Sequence, residues 1–188
     1  MLKYADTDIV FQELPDEVTL AVNITGCPCR CPECHSKHLW ADTGTPLTPD
    51  AVDRLIAPRQ GAITCLSLMG GDADPEGVDS LLAYIRRRYP RLHTSWWSGR
   101  SILSPLVRLE RLDYLKLGPY LPHLGSLRSA TTNQRLYRVV AGQLVDITDR
   151  LRVRPLASAP VADAAKRATI LSTRLAASHS APRNTTTT

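Results

Sequence analysis

Val18-Thr19-Leu20-Ala21-Val22-Asn23-Ile24-Thr25-Gly26 runs directly into Cys27-Pro28-Cys29-Arg30-Cys31-Pro32-Glu33-Cys34-His35, a strand-like segment followed at once by four closely spaced thiols. Val18 to Asn23 is apolar and β-branched and has the length of a strand. Thr25-Gly26 ends it, so the thiols that follow sit on a loop at the strand's C-terminal end. Pro28 and Pro32 restrict that loop and lower the entropy lost when it orders.

The same layout recurs along the chain. Ala62 to Met69 is a second strand-length apolar run and stops at Gly70-Gly71-Asp72. His93 to Trp97 is a third, stopping at Ser98-Gly99, and Tyr114 to Leu117 a fourth, stopping at Gly118-Pro119. Helices are expected between them. Pro49 to Ala57 is one, with Thr48 as its N-cap. Glu76 to Tyr89 is the next, with Val78, Leu81, Leu82 and Ile85 at helical spacing and Pro90 as its stop. Ile102 to Glu110 is the last, with Pro105 near its start. Leu136 to Val140 and Gln143 to Ile147 read as a hairpin around Ala141-Gly142. Strands alternating with helices predict an α/β fold of mostly parallel strands, an open sheet or partial (β/α) barrel. Chemistry in such folds gathers at the C-terminal strand ends. The cysteines, Gly70-Gly71-Asp72, Ser98-Gly99 and Gly118-Pro119 are therefore expected on one rim.

The chain has 188 residues, which suggests one domain, and its apolar fraction of 43% is that of a globular protein. It has no apolar run of membrane-spanning length. Its first residues carry Asp6 and Asp8 and lack the apolar core of a secretory signal, so a cytoplasmic location is expected. The net charge is +5, of which residues 158–188 carry +3. Those residues are rich in Ala, Ser and Thr and end in four threonines. We read residues 1–157 as the folded domain and 158–188 as a low-complexity tail, expected to be disordered apart from a weak helix over 162–176. Because the basic excess lies off the folded part, nucleic acid is not the expected partner.

Four of the five cysteines fall between positions 27 and 34. A disulfide framework spreads its partners along the chain, whereas clustered thiols in a cytosolic chain more often bind metal. Cys27, Cys31 and Cys34 form C-x3-C-x2-C. A [4Fe–4S] cluster ordinarily takes four thiolates. Three leave one iron open to another molecule, such as the amine and carboxylate of a methionine-type ligand. The rival is a structural zinc site on Cys31, Cys34 and His35 or His38, but no second ligand pair follows downstream. Cys29 is an extra thiol that we read as a bystander, and Cys65, inside an apolar strand, as a small buried hydrophobe.

These residues resemble the radical S-adenosylmethionine superfamily: C-x3-C-x2-C after the first strand, then Gly70-Gly71-Asp72 one βα unit later, similar to that superfamily's GGE-type motif. Within it, residues 1 to 150 resemble the activating proteins of anaerobic ribonucleoside-triphosphate reductases. The resemblance is carried by Cys31-Pro32-Glu33-Cys34-His35, Trp96-Trp97-Ser98-Gly99, Asp113 to Tyr120 and Thr131-Thr132-Asn133-Gln134-Arg135. Three positions depart from it. Glu33 stands where the subfamily often has glycine, Ala73 replaces a proline, and Cys29 is additional.

The resemblance implies a partial (β/α) barrel of the radical S-adenosylmethionine type. It implies a [4Fe–4S] cluster on Cys27, Cys31 and Cys34, with S-adenosylmethionine as the second cofactor. It places Gly70 and Gly71 against the methionine moiety, Asp72 on its ammonium, the backbone of Glu33, Cys34 and His35 near the adenine, and Trp97 either as a wall of the site or as an ordinary core aromatic. Asn133, Gln134 and Arg135 either form the rim or act as a turn network. The implied chemistry is reductive cleavage to a 5′-deoxyadenosyl radical, which takes a hydrogen from a glycine Cα of the reductase and leaves a glycyl radical there. The implied partners are that reductase and an electron donor such as a flavodoxin or ferredoxin, with no membrane. Rival readings are a radical enzyme acting on a small molecule, an activase of a different glycyl-radical enzyme, and a zinc-stabilised binding module.

Overall fold

The computed structural model describes residues 1–152. The expected boundary after residue 157, the tail and its helix over 162–176 lie outside the described residues. Eight strands form one sheet: β1 (Lys3–Val10), β2 (Thr19–Ile24), β3 (Thr45–Pro46), β4 (Cys65–Met69), β5 (His93–Trp97), β6 (Tyr114–Leu117), β7 (Arg135–Val140) and β8 (Gln143–Asp146). Their order across the sheet is β3-β1-β2-β4-β5-β6-β7-β8. Two α-helices accompany them, α1 (Pro49–Ile56) and α2 (Pro75–Arg88).

This corrects the expected fold. The sheet is mixed, and four of its seven pairings are antiparallel: β1 with β2 and with β3, β6 with β7, and β7 with β8. Only β2–β4, β4–β5 and β5–β6 are parallel. It is not a helix-rich parallel (β/α) barrel. A parallel pair needs a crossover between its strands, whereas short connections give antiparallel neighbours. β7 and β8 are joined by the two-residue Ala141-Gly142 turn and pair antiparallel, as so short a connection requires, and β1, β3 and β7 add further antiparallel neighbours at the margins. The third expected helix is also absent. Residues 102–110 hold only a short 3-10 turn at Leu109–Arg111. Ile102 is 75% exposed and Leu106 48%, with Val107 buried, so this segment has no continuous apolar face for a helix to dock.

The two helices form where their caps and apolar stripes predict. Thr48 accepts from Ala51 N at 3.2 Å and Pro49 fills the first helical position of α1. Asp74 accepts from Gly77 N at 2.9 Å at the start of α2, which carries Arg86, Arg87 and Arg88 in its last turn. Val78, Leu81, Leu82 and Ile85 of α2 pack with Leu20, Val22, Leu66, Leu68, Trp96 and Leu115 in the main core.

Alternation along the strands splits the sheet into unlike faces. The helix side is apolar. The opposite side carries a smaller cluster of Cys65, Tyr114 and Leu136 with Leu14, Leu127 and Trp97 packed against it. On that side the inner strands also bear Ser67, Ser95 and Lys116, all buried. Ser67 and Ser95 are central in β4 and β5, and Lys116 stands one residue from the C-terminal end of β6.

Candidate metal centre

β2 ends at Ile24, and Gly26, at φ +72°, turns the chain into the cysteine loop. Gly26 N donates to Ala41 O at 3.0 Å and Cys27 N to Leu39 O at 3.0 Å, which pins the base of the loop. Arg30 and Glu33 adopt left-handed backbone at φ 41° and 54°, and Cys34 N donates to Cys31 O at 3.2 Å to close the turn between the two thiols. All four loop cysteines are half-buried, whereas Cys65 is fully buried, as a small core hydrophobe is.

The thiols are electrostatically unequal. A hydrogen bond from Cys29 draws the Cys27 thiol down to about 6 against the opposing effect of burial. The same bond, with burial and the Asp72 charge, pushes Cys29 up. The bond thus favours the thiolate at Cys27 and the protonated thiol at Cys29. Cys34 Sγ accepts from Ser36 N at 3.4 Å, an amide aimed at a sulfur as in an anion nest.

The Gly70-Gly71-Asp72 turn lies at the end of β4. Its glycines take φ +97° and +90°, and a Cβ on Gly71 would come within 2.7 Å of Val78 Cγ2. Gly70 N donates to Trp97 O at 2.9 Å, and Trp96 Nε1 donates to Gly70 O at 2.7 Å. Asp72 Oδ1 accepts from the Ser98 hydroxyl at 2.5 Å, and its Oδ2 from Gly99 N at 3.0 Å. Cys29 Sγ stands 3.8 Å from the same Oδ2. Gly99 leaves room for that thiol, since a Cβ there would fall 2.6 Å from Cys29 Sγ.

Beside these loops a cavity of about 510 Å³ is lined by Cys34, His35, Met69, Trp97, Tyr120 and Gln134, among others. His35 and Tyr120 face each other with ring centroids 5.7 Å apart. Trp97 Nε1 is buried without a hydrogen-bond partner. Another cavity, of about 420 Å³, lies against Ile56, Ile63 and Tyr89 and contains none of the expected site residues.

The expected ligands Cys27, Cys31 and Cys34 share one loop, and of the three only Cys27 belongs to a group within reach of a single metal ion. Among the described residues, the atoms within 4.8 Å of one another are those of Cys27, Cys29 and Asp72. Of the expected cofactor residues, Cys34, His35 and Trp97 line the cavity, Gly70 is bonded to Trp97, and Gly71 and Asp72 follow it. Glu33 is exposed. Asn133 donates to Pro119 O at 2.9 Å and Arg135 to Thr132 O at 3.2 Å, a turn network, while Gln134 lines the cavity. The sequence reading placed Ser98 and Gly99 on the rim but missed their hold on Asp72. It also missed Met69 in the cavity wall and Lys116, whose only signal was a lysine inside the apolar run Tyr114-Leu115-Lys116-Leu117.

The donor set fits an iron–sulfur cluster: clustered half-buried thiols, one of them shifted toward its thiolate form, and a backbone amide directed at a sulfur. The family described as 4Fe-4S single cluster domain matches residues 17–118. That is more than half of the chain, and the chain belongs to this family of cluster-binding domains. No curated protein and no solved structure matches it. Among the described residues no helix is long and apolar enough to cross a membrane.

Proposed function

We propose that this chain is a radical S-adenosylmethionine activase that takes a hydrogen from a glycine Cα of an anaerobic ribonucleotide reductase. One observation carries the reading. The cysteine loop touches the Gly70-Gly71-Asp72 turn through Cys29 and Asp72, and its Cys34 and His35, with Met69 and Trp97 at the ends of β4 and β5, line a cavity large enough for a nucleoside. When bound, the cluster supplies the electron that cleaves the sulfonium.

The chain's own residues orient the reactants. Cys27, Cys31 and Cys34 would hold the cluster and leave one iron without a protein ligand. Gly70 and Gly71 present backbone without a Cβ. Asp72, fixed by Ser98 and Gly99, keeps lone pairs for an ammonium. Trp97 and His35 line the cavity that would receive the adenine. The partners in this reading are the reductase and a flavodoxin- or ferredoxin-type donor.

The test is anaerobic incubation of the reconstituted protein with S-adenosylmethionine, dithionite and a candidate reductase. The reading expects 5′-deoxyadenosine and a glycyl-radical signal on the reductase. Full turnover on a small molecule alone would instead favour an enzyme of small substrates.

A second reading has one observation in its favour. The convergence of Cys27, Cys29 and Asp72 suits a single metal ion, and zinc is the natural occupant of thiol-rich sites. Metal analysis of the purified protein separates the two: a zinc protein is colourless and holds one ion.

A further inference from the structure

Lys116 lies on β6, between β5 and β7, opposite Trp97, and is 7% exposed. A lysine at a strand end ordinarily runs its stem along the surface and keeps its ammonium in water. This one does not reach water. A buried ammonium costs several kcal/mol unless opposite charge and hydrogen bonds compensate it. Its Nζ donates to Gly118 O at 2.5 Å and lies 3.4 Å from Ser98 O, and both acceptors are neutral. Among the described residues it forms no ion pair with a carboxylate.

The nearest anionic groups lie one contact further on: Ser98, which accepts from Lys116, also holds Asp72, whose carboxylate groups with the Cys27 and Cys29 thiols within 4.8 Å. Burial lowers the ammonium to about 8, while the thiols of Cys31, Cys29 and Cys27 and the Asp72 carboxylate act in the opposite sense. The connection is also structural. Ser98, whose carbonyl faces Lys116, holds Asp72 through its hydroxyl. Gly99, the next residue, donates to Asp72 and lies against Cys29. A leucine would suit an apolar strand at least as well, and replacing buried ions by apolar groups is often neutral or stabilising. The cation therefore has to be accounted for by something other than stability.

We propose that Lys116 is the buried counter-cation of the iron–sulfur site, a positioning residue whose charge stabilises the anionic three-thiolate cluster, and its reduced form most. Reduction adds negative charge beside a fixed cation in a poorly solvated setting, so the cation raises the cluster's reduction potential. This rests on Cys27, Cys31 and Cys34 as the cluster ligands and not on the radical reaction.

The test compares wild type, Lys116→Met, Lys116→Gln and Lys116→Arg after anaerobic reconstitution. It reads iron and sulfide content, melting temperature and the midpoint potential from a redox titration followed by electron paramagnetic resonance. Methionine keeps the volume and removes the charge. The proposal expects cluster-loaded Met and Gln variants with more negative potentials than wild type, and an Arg variant restored toward it. If Met and Gln fail to hold iron while Arg holds it, the charge is needed for assembly and the proposal stands. An unchanged potential in a loaded Met variant overturns it and leaves Lys116 as a tie between two carbonyls. Loss of iron in Arg as well as Met also overturns it. A wild-type protein without a four-iron cluster overturns the cluster reading itself, which is a different failure.

Discussion

The Ser98 hydroxyl donates to Asp72 Oδ1 at 2.5 Å, joining the loop after β5 to the loop after β4 directly beneath the cysteine segment. Ser98 is 1% exposed, so no water can replace its hydroxyl without rearrangement. Ser98→Ala is expected to cost about 1.5–3 kcal/mol of stability, the range for a hydrogen bond to a charged group. In the radical reading it also weakens S-adenosylmethionine binding, because Asp72 is no longer held. Denaturant unfolding and isothermal binding of S-adenosylmethionine to the loaded protein check the two effects separately.

Gly99 and Cys29 are sterically coupled. A Cβ at 99 would lie 2.6 Å from Cys29 Sγ and 3.1 Å from its Cβ. Gly99→Ala is expected to displace the loop and reduce cluster loading severalfold. Adding Cys29→Ala removes the closer contact and should recover part of that loss. Equal iron content in the single and double variants would show that the contact does not matter.

Glu33 occupies left-handed backbone at φ 54° and is exposed. Non-glycine residues pay about 1–2 kcal/mol there. Glu33→Gly is therefore expected to raise stability by about 1 kcal/mol despite glycine's greater unfolded-state freedom, with cluster loading retained. Thermal unfolding of the two proteins decides it. A lower melting temperature for the glycine variant would contradict the assignment of strain.

At the other end of the sheet, buried Glu17 accepts from Tyr114 OH at 2.8 Å, meets His93 Nδ1 at 2.7 Å and accepts from the Thr64 hydroxyl. Burial, then the hydrogen bond to Glu17, pushes the Tyr114 phenol well above its ordinary value near 10. The folded state favours the protonated phenol. Its stabilising contribution is full below pH 10 and is lost as pH rises toward the elevated folded value. Absorbance at 295 nm should show Tyr114 among the tyrosines that titrate late, beside Tyr84, which its bond to Asp53 raises, and Tyr89, which burial and then a bond to Asp53 raise. Tyr114→Phe should remove one of these late steps and leave the others.

Much of the site was legible because its chemistry is local. Cys27 to Cys34 and Gly70-Gly71-Asp72 are contiguous motifs, and Thr48 and the Val78–Ile85 stripe mark helices by neighbours in sequence. What was not legible depends on tertiary pairing. β1 carries Asp6, Thr7 and Asp8 and shows no apolar alternation, yet it pairs along β2, with Asn23 Nδ2 donating to Asp6 Oδ1 at 2.5 Å. β3 is two residues long. Strand direction at both margins follows from connections that periodicity does not report, which is why a parallel barrel was expected and a mixed sheet found. Ile102 to Glu110 has helix-compatible residues, but its large apolar side chains Ile102 and Leu106 are left in solvent. Lys116 was passed over because only its burial separates it from a surface lysine.

The central claim is that three thiolates hold a four-iron cluster with one iron open to S-adenosylmethionine. The most direct measurement is electron paramagnetic resonance of the anaerobically reconstituted, reduced protein with and without S-adenosylmethionine, alongside iron counting in wild type and Cys29→Ala. The account predicts about four irons per chain in both proteins, and a cluster signal that changes when S-adenosylmethionine is added. A colourless protein with one zinc, or a four-iron signal that S-adenosylmethionine leaves unaltered, would contradict it.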